Sequence, residues 1–282
     1  MSEITIPFWK VEATGNDFIY LPVLPDSLTQ DEHKALKWLR MVAPILCDRH
    51  TGIGGDGVLW TRPGGSTESP KMGFLNPDGS DAGMCGNGGR CFAALHPEAH
   101  QIDVHGVQYP VHHVGSNGPS SDIALTFPGD VMVQKHAPFD ALEHLGPVYQ
   151  VYTGTEHAVV CHPASVEELH ALRHHRFFQP KGTNASECLH HESGLSVRTF
   201  ERGVEALTQS CGTGVVACAL AWWSNQPFDG DSNIDSVRVL TDGGTLTVGA
   251  KRTGSTTFTS CTLQGAAGKR FEGSIALPFP TK

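Results

Sequence analysis

Short runs of apolar and β-branched residues make up most of the chain, and clusters of glycine, proline and asparagine separate them. Runs of this kind between turn-forming residues predict β-strands. Two of the runs end in a Thr-Gly pair, Thr14-Gly15 near the start of the chain and Thr153-Gly154 near its middle. The other predicted strands are Ile102–Val104, Val107–Val114, Ile123–Phe127, Val148–Tyr152, Ala158–Cys161, Ser196–Phe200, Val237–Leu240 and Thr245–Val248.

Helical patterns are fewer than strand patterns. Over Asp31–Leu46 the apolar residues recur at close to every 3.6 positions, which predicts an amphipathic helix that Pro44 should end or bend. Ser165 and Glu168 form a capping-box sequence, which opens a second helix running to about Arg173. The segment Gly115–Asp122 is predicted to be a surface loop.

Two uniformly apolar runs, Cys91–Leu95 and Val215–Trp223, predict helices that are buried at a core. Each run follows a Cys-Gly-x-Gly sequence, which begins at Cys85 in the first half and at Cys211 in the second. Because both halves carry the same ordered set of signals, the chain is interpreted as a duplicated domain. The expected fold class is α+β, with two pseudo-symmetric domains side by side, a cysteine in the first turn of each core helix, and a cleft between them.

Composition and charge narrow the function classes. The chain has 282 residues, of which 39% are apolar and 17% charged, and a formal net charge of −9. It has no basic cluster of the kind that binds phosphate backbones, so nucleic acid is not an expected partner. It also has no signal-like N-terminus and no long uncharged stretch, so a cytoplasmic protein without membrane contact is expected.

The eight cysteines suggest chemistry rather than disulfides, because thiols stay reduced in the cytoplasm. The unpaired N–H groups at a helix N-terminus lower the pKa of a nearby thiol and bind carboxylate oxygens. Two such sites facing each other would place a small carboxylate between two sulfurs. Inverting a stereocentre by proton transfer needs a base on one face of the carbon and an acid on the other. Cys85 and Cys211 are therefore the candidate catalytic pair.

The carbanion-like transition state of such a reaction needs electrostatic stabilisation. Backbone N–H groups at Gly86, Asn87, Gly212 and Thr213 are the candidates for this role. We find no cofactor motif, and we expect neither an organic cofactor nor a metal. Cys91 and Cys218 are interpreted as core residues, and no role is assigned to the remaining four cysteines, Cys47, Cys161, Cys188 and Cys261.

At these residues the sequence resembles the diaminopimelate epimerase family. The stretch Asn76–Cys91 resembles the first signature of that family, and Val197–Gly203 followed by Ser210–Gly214 resembles the second. Supporting segments are Thr14–Phe18, Arg49–Gly57 and Leu263–Ala267.

The resemblance implies interconversion of LL- and meso-2,6-diaminopimelate, a step towards lysine and bacterial cell-wall precursors. It implies a homodimer and two similar domains, each with a mixed β-barrel-like sheet around a central helix. In that arrangement the C-terminal strand returns to the first domain. The expected domains are therefore 1–128 with 270–282, which carries Cys85, and 129–269, which carries Cys211.

The resemblance also implies roles for individual residues. Cys85 and Cys211 exchange the proton, and His157 and Glu201 adjust the proton affinities of the two thiols. Arg202 is expected to bind the distal carboxylate, since guanidinium groups bind carboxylates bidentately. The full set of expected substrate-binding residues is Asn16, Asn76, Gly86, Asn87, Thr155, Asn184, Glu201, Arg202, Gly212 and Thr213.

Two departures from the family pattern concern substrate contacts. Thr155-Glu156 stands where the family often has Asn-Pro, and Gly57 stands where some members have glutamine. One alternative function is therefore a racemase for another amino acid on the same fold, such as proline or histidine. A second alternative is a cysteine-based redox or metal-binding module. The absence of a Cys-x-x-Cys sequence argues against that module.

Overall fold

The computed structural model divides the chain into two units and describes residues 2–118, 120–228, 230 and 234–279. Unit 1 consists of Met1–Ile123 and Ala266–Lys282, and unit 2 consists of Ala124–Gly265. The bounds expected from the sequence, 1–128 with 270–282 and 129–269, differ from these by a few residues at each crossing.

Unit 1 is mostly sheet, with a few helices. Its strands are β1 (Ser2–Ala13), β2 (Asn16–Leu21), β3 (Val58–Arg62), β4 (Lys71–Leu75), β5 (Gln101–Val104), β6 (Val107–Asn117) and the first part of β7 (Ser120–Thr126). Its helices are α1 (Asp26–Thr29), α2 (Glu32–Cys47) and α3 (Gly86–Ala94).

The strands of unit 1 form a mixed sheet around α3. Strands β1 and β2 pair antiparallel, β2 and β3 parallel, β3 and β4 antiparallel, β4 and β5 parallel, and β5 and β6 antiparallel. Helix α3 is buried over Gly86–Ala93 and packs against β1, β2, β4 and β5. Helix α2 lies on the outside of the sheet, where Trp38, Leu39, Val42 and Leu46 form a core cluster with residues of the strands.

Of the two outcomes expected at Pro44, an end or a bend of the helix, the end does not occur, because α2 continues past this proline to Cys47. Proline has no N–H to donate to the carbonyl of Arg40 four residues earlier. Gly79 lies against that carbonyl so closely that a Cβ on it would be 2.4 Å from the oxygen. The helix therefore keeps its buried apolar face despite one missing backbone hydrogen bond.

The predicted surface loop over Gly115–Asp122 is also wrong for most of its length. Strand β6 extends through Asn117 and β7 begins at Ser120, so this segment is a hairpin with its turn at Gly118. Pro119 lies outside the described residues. The strand residues near the turn, 112–116, are all exposed, so they lack the alternation of apolar and polar residues that marks a strand in a sequence.

Unit 2 repeats the same plan. Its strands are the end of β7, then β8 (Val131–His136), β9 (Val148–Tyr152), β10 (Glu156–Val160), β11 (Asn184–His191), β12 (Gly194–Glu201), β13 (Ala206–Thr208), β14 (Ile234–Thr241), β15 (Gly244–Arg252) and the first part of β16 (Thr257–Phe279). Its helices are α4 (Val166–Arg173) and α5 (Gly212–Ser224). The second part of β16 belongs to unit 1, where it pairs with β1.

In unit 2 the sheet closes on itself. Pairings run from β8 through β9, β10, β11, β12, β14 and β15 to β16, and β16 pairs with β8 at Thr257 and Phe258. Helix α5 fills this ring, and its residues from Gly212 to Ala221 are all buried. The α+β class and the sheet around a central helix are confirmed. So is the capping box of Ser165 and Glu168 at the start of α4.

The eight cysteines are all free thiols, and Cys91 and Cys218 are fully buried, as predicted for core residues. Among the described residues, no helix is both long enough and apolar enough to cross a membrane.

Candidate active site

Cys85 is the N-cap residue of α3. Its backbone is extended, with φ −115° and ψ 115°, and its Sγ accepts a hydrogen bond from the N–H of Gly88 at 3.3 Å. A serine or aspartate oxygen commonly fills this capping position, so the sulfur satisfies one of the free N–H groups of the first turn. The thiol is thus fixed at the positive end of a buried helix.

Asn87 links α3 to the turn between β1 and β2. Its Nδ2 donates to Asn16 Oδ1 at 2.5 Å, and Asn16 Nδ2 donates in turn to Asp56 Oδ2 at 2.9 Å. Asp56 pairs with Arg49, which also forms two hydrogen bonds to Asp17. Two of the three asparagines expected to bind substrate in unit 1 therefore contact each other and are anchored by an ion-pair cluster.

Arg90 lies beneath this network and is 0% exposed. Its Nη2 donates to Asn87 Oδ1 at 2.8 Å and to Thr14 Oγ1 at 2.7 Å, and its Nη1 donates to the Gly86 carbonyl at 3.3 Å. Thr14 occupies the left-handed region with φ 51°, which is strained for a β-branched residue. The hydrogen bond from Arg90 holds this strained turn in place.

Asn76 lies apart from this network, in a tight turn after β4. Its Nδ2 donates to Ser80 Oγ at 3.0 Å and to the Asp81 carbonyl at 3.4 Å. The turn ends just before the loop that leads to Cys85. In this structure the side-chain amide of Asn76 stabilises the turn.

In unit 2, Cys211 is the N-cap residue of α5, with φ −109° and ψ 102°, and is 7% exposed. Its Sγ lies 3.6 Å from the hydroxyl of Thr213. The backbone angles at this cysteine are close to those at Cys85, but the sulfur of Cys211 does not cap its helix as the sulfur of Cys85 does.

The hydroxyl of Thr213 connects the sulfur to an imidazole. Thr213 Oγ1 lies 3.0 Å from His157 Nε2, and Thr155 Oγ1 lies 3.0 Å from the same nitrogen. The two hydroxyls are 3.3 Å apart. His157 therefore reaches Cys211 through one hydroxyl rather than directly.

Burial, and secondarily the cation of Arg202, lowers the pKa of His157 to about 3. His157 is 0% exposed, and its Nδ1 has no hydrogen-bond partner among the described residues. The imidazole is consequently neutral at neutral pH. A neutral ring with a proton on Nε2 donates to Thr213, which leaves the threonine hydroxyl proton free to point at the sulfur.

Asn184 joins the remaining residues expected in unit 2. Strands β10 and β11 pair in parallel with His157 opposite Asn184. Asn184 Nδ2 donates to Thr155 Oγ1 at 3.3 Å, and Asn184 Oδ1 accepts from the N–H of Arg202 at 2.8 Å. Register thus brings Thr155, His157, Asn184 and Arg202 to one end of the ring of strands.

Glu201 and Arg202 lie at the end of β12. Glu201 Oε2 accepts from Thr208 Oγ1 at 3.0 Å, and Arg202 Nη1 donates to the Lys181 carbonyl at 3.1 Å. The next residues are held by Glu205, whose carboxylate accepts from buried Arg173 at 2.7 Å. The exposed guanidinium of Arg202 therefore projects from a fixed loop.

The second glycine of Cys-Gly-x-Gly has a steric role in unit 2. A Cβ at Gly214 would lie 2.9 Å from Thr199 Oγ1 and 3.2 Å from His157 Cε1. At the matching Gly88 the nearest atom would be 3.5 Å away, at Cys85 Cβ. Only the unit 2 glycine is required by close packing.

Sequence reasoning assigned no role to Arg90, Asp56 or Thr14. The available signal was a single charged residue, Arg90, within an otherwise small and apolar helical run. A charge on a buried helix must have polar partners, and those partners are Thr14 and the site asparagine Asn87.

A cavity of about 890 Å³ in unit 1 is lined by residues from Leu21 to Leu36 and by Trp60, Arg62 and Phe74. None of the expected site residues lines it. We place the candidate site at the cysteines, because in each unit a polar network involves the first turn of the helix that the cysteine begins.

Solved structures similar to this chain define its fold. A phenazine biosynthesis protein of the PhzF family from Bacillus anthracis matches with TM-score 0.70 at 13% identity, covering 96% of this chain and 99% of that one. A hydroxyproline epimerase from Agrobacterium vitis matches with TM-score 0.67 at 16% identity, covering 98% and 93%. These matches show that the chain has the fold that a PhzF-family protein and an epimerase share.

Sequence relatives identify the family to which this chain belongs. A diaminopimelate epimerase from Aquifex aeolicus (strain VF5) is 33% identical over 95% of this chain and 97% of its own length. One from Chlorobaculum tepidum is 31% identical over 95% of this chain and 100% of its own length. The family model for diaminopimelate epimerase matches residues 8–107. The chain belongs to the diaminopimelate epimerase family and is an isomerase.

Proposed function

We propose that this protein interconverts LL- and meso-2,6-diaminopimelate by proton transfer at the α-carbon between Cys85 and Cys211. The observation that carries the proposal is the repeated N-cap cysteine. Each unit fixes one sulfur at the N-terminus of its buried central helix, with nearly the same backbone angles. A two-base inversion needs two such groups of similar chemistry.

In the proposed reaction, the thiolate of one cysteine removes the α-proton and the thiol of the other delivers a proton to the opposite face. The sulfur that begins as thiolate ends as thiol, and the other does the reverse. Charge that develops on the α-carboxylate is stabilised by backbone N–H groups at Gly86, Asn87, Gly212 and Thr213, since helix N-termini bind anions. The reverse reaction uses the same groups in exchanged roles.

The distal end of the substrate explains the remaining polar residues. Arg202 is proposed to bind the distal carboxylate, because its guanidinium is exposed while its backbone is fixed by Asn184. We propose that Asn16, Asn76, Asn184, Thr155 and Glu201 complete the contacts. His157 acts on Cys211 through Thr213 as a neutral hydrogen-bonding group.

The proposed reaction belongs to the synthesis of lysine and cell-wall precursors. We also propose that the enzyme is a cytoplasmic homodimer that acts on this small molecule alone. Light scattering on the purified protein tests the dimer, and a mass equal to one chain would contradict it.

A substrate panel tests the proposed function. Purified protein is incubated separately with LL-diaminopimelate, L-proline, L-histidine and L-glutamate, and the stereoisomers are separated by chiral chromatography. We expect conversion of diaminopimelate alone. Conversion of proline, histidine or glutamate without diaminopimelate would show a different racemase on the same fold.

Arg202→Met is the matched variant for this panel. Because it removes the group proposed to bind the distal carboxylate, KM for diaminopimelate should rise by about 100-fold. An unchanged KM would show that the second carboxylate is bound elsewhere.

A further inference from the structure

Arg90 is a buried cation with uncharged hydrogen-bond partners. Arginine is almost never fully buried without a counter-ion, because transferring a charge out of water is costly. Its partners are a threonine hydroxyl, an asparagine carbonyl and a backbone carbonyl. Unit 2 has two buried arginines among the described residues: Arg173 is paired with the carboxylate of Glu205 at 2.7 Å, and Arg252 donates to backbone carbonyls, among them that of Ser255 at 2.7 Å.

The guanidinium of Arg90 stays protonated. Burial lowers its pKa to about 10, which is still well above neutrality. The charged and titratable groups that act on it are Cys85 and Cys91 on α3, Glu12 on β1 and Asp122 on β7. The site therefore contains a permanent positive charge that these groups must balance.

Only one of these groups lies at the proposed reaction centre and can change its charge there. Glu12 is already paired with Arg270, and burial raises the pKa of Cys91 so that its thiol stays neutral. Asp122 is not among the residues proposed to contact the substrate. Cys85 is capped by the Gly88 N–H, which also favours its anion.

The second unit differs at the matching position. Arg90 is the fifth residue after Cys85, whereas the fifth residue after Cys211 is Val216, which is fully buried in α5. The imidazole that reaches Cys211 through Thr213 is that of His157, which is neutral at neutral pH. Of the two central helices, α3 alone carries a cation at this position.

We infer that Arg90 holds Cys85 as a thiolate before substrate binds, so that Cys85 is the resting base and Cys211 the resting acid. The assignment of base and acid rests on the proposed function. Arg90 acts through Cys85 and through Asn87, and is a positioning residue rather than a catalytic one. The stereoisomer whose α-proton faces Cys85 then reacts without prior redistribution of protons between the sulfurs.

Thiol titration tests this inference without any substrate. The rate of iodoacetamide alkylation is followed against pH, and each cysteine is identified by peptide mass spectrometry. Cys85 is titrated in a Cys211→Ser background and Cys211 in a Cys85→Ser background, so that each midpoint belongs to one thiol rather than to a pair. We expect a lower midpoint for Cys85 than for Cys211.

Arg90→Met should raise the midpoint of Cys85 by about one pH unit or more, which is about a tenfold slower alkylation at pH 7. Arg90→Lys keeps the charge and should restore most of that rate. Cys211 serves as the internal control, and its midpoint should not move in Arg90→Met. An unchanged midpoint for Cys85, or an equal shift at both cysteines, would overturn the inference.

If Arg90→Met does not fold, the inference is still tested by Arg90→Lys and by comparing the midpoint of Cys85 in Cys211→Ser with that of Cys211 in Cys85→Ser. Equal midpoints, or a lower midpoint for Cys211, would overturn the inference. Failure of the proposed function is separate, because a low midpoint at Cys85 without conversion of diaminopimelate leaves the thiolate assignment standing. Conversion with equal midpoints refutes the assignment and leaves the function.

Discussion

The two cysteine sites have the same backbone and different chemical surroundings. Cys85 begins a helix in which a buried arginine and Asn87 form a hydrogen-bonded network, whereas Cys211 lies 3.6 Å from the hydroxyl of Thr213, which in turn contacts neutral His157. Both units carry the same helix N-terminus, but α3 has a cation, Arg90, at the position where α5 has Val216. Similar sulfurs allow the reaction to run in both directions, and the difference in surroundings is what we infer to set which sulfur holds the proton before substrate binds.

Removing either sulfur should have the largest effect. Cys85→Ala and Cys211→Ala should each lower epimerisation by at least about 1,000-fold, because one acid or base is lost outright. Circular dichroism should show an unchanged fold, since an alanine fits the N-cap without a clash. Activity within tenfold of the unsubstituted enzyme in either variant would contradict the two-thiol mechanism.

Gly88 and Gly214, the second glycine of each Cys-Gly-x-Gly sequence, allow the packing around the two central helices to be compared by its effect on stability. Gly214→Ala should lower the free energy of unfolding by about 1–3 kcal/mol, because the new methyl group meets Thr199 and His157. Gly88→Ala is the matched control, and should be neutral or stabilising by up to about 1 kcal/mol in a helix.

Urea unfolding of both glycine variants measures this difference. Equal losses at the two positions would show that the packing around the helices is the same in both units.

The hydroxyl between Cys211 and His157 should have a moderate effect on catalysis. Thr213→Val keeps the shape and removes the hydroxyl, and a hydrogen bond to a charged group contributes about 1.5–3 kcal/mol. We therefore expect kcat to fall by about 10- to 100-fold, with Thr213→Ser close to the unsubstituted enzyme. If the valine variant keeps full kcat, the hydroxyl does not act on the sulfur.

Burial of His157 predicts a smaller, pH-dependent loss of stability. Its pKa in the folded protein is about 3, below the ordinary value of 6.5, so the unfolded chain takes up a proton first as the pH falls. Stability is fully present above pH 6.5 and is lost as the pH falls towards 3. Between pH 7 and pH 5.5 the loss from this one group is about 1 kcal/mol.

His157→Gln should lack that part of the pH dependence. The comparison is between the slopes of unfolding free energy against pH for the two proteins, since other histidines contribute equally to both. Identical slopes would show that His157 is solvated in the folded protein.

The sequence predicted what depends on local pattern. The apolar runs after each cysteine identified both central helices, and the apolar and β-branched runs identified nine of the strands. The sequence pattern did not predict strand β16. This long strand belongs to both units and pairs with β15 in one part and with β1 in another, so its burial pattern changes along its length. The continuation of α2 past Pro44 also depends on a distant residue, Gly79, which lies against the free carbonyl.

Within the candidate site, motif matching named the residues but not their connections. The placement of Thr213 between Cys211 and His157 arises from strand register and from the absence of a side chain at Gly214. Arg90 lies within the signature stretch Asn76–Cys91, yet only its burial among uncharged partners gives it a role. Such long-range contacts have no signature in the spacing of residues along the chain.

Hydrogen exchange during turnover tests the central claim most directly. LL-diaminopimelate is converted in D₂O, and the α-deuterium content of product and of recovered substrate is measured at low conversion. Two cysteines on opposite faces predict one deuterium at the inverted carbon of the product and none in the recovered substrate. Deuterium entering the recovered substrate as fast as product forms would contradict the account, because it would show a single base acting on one face.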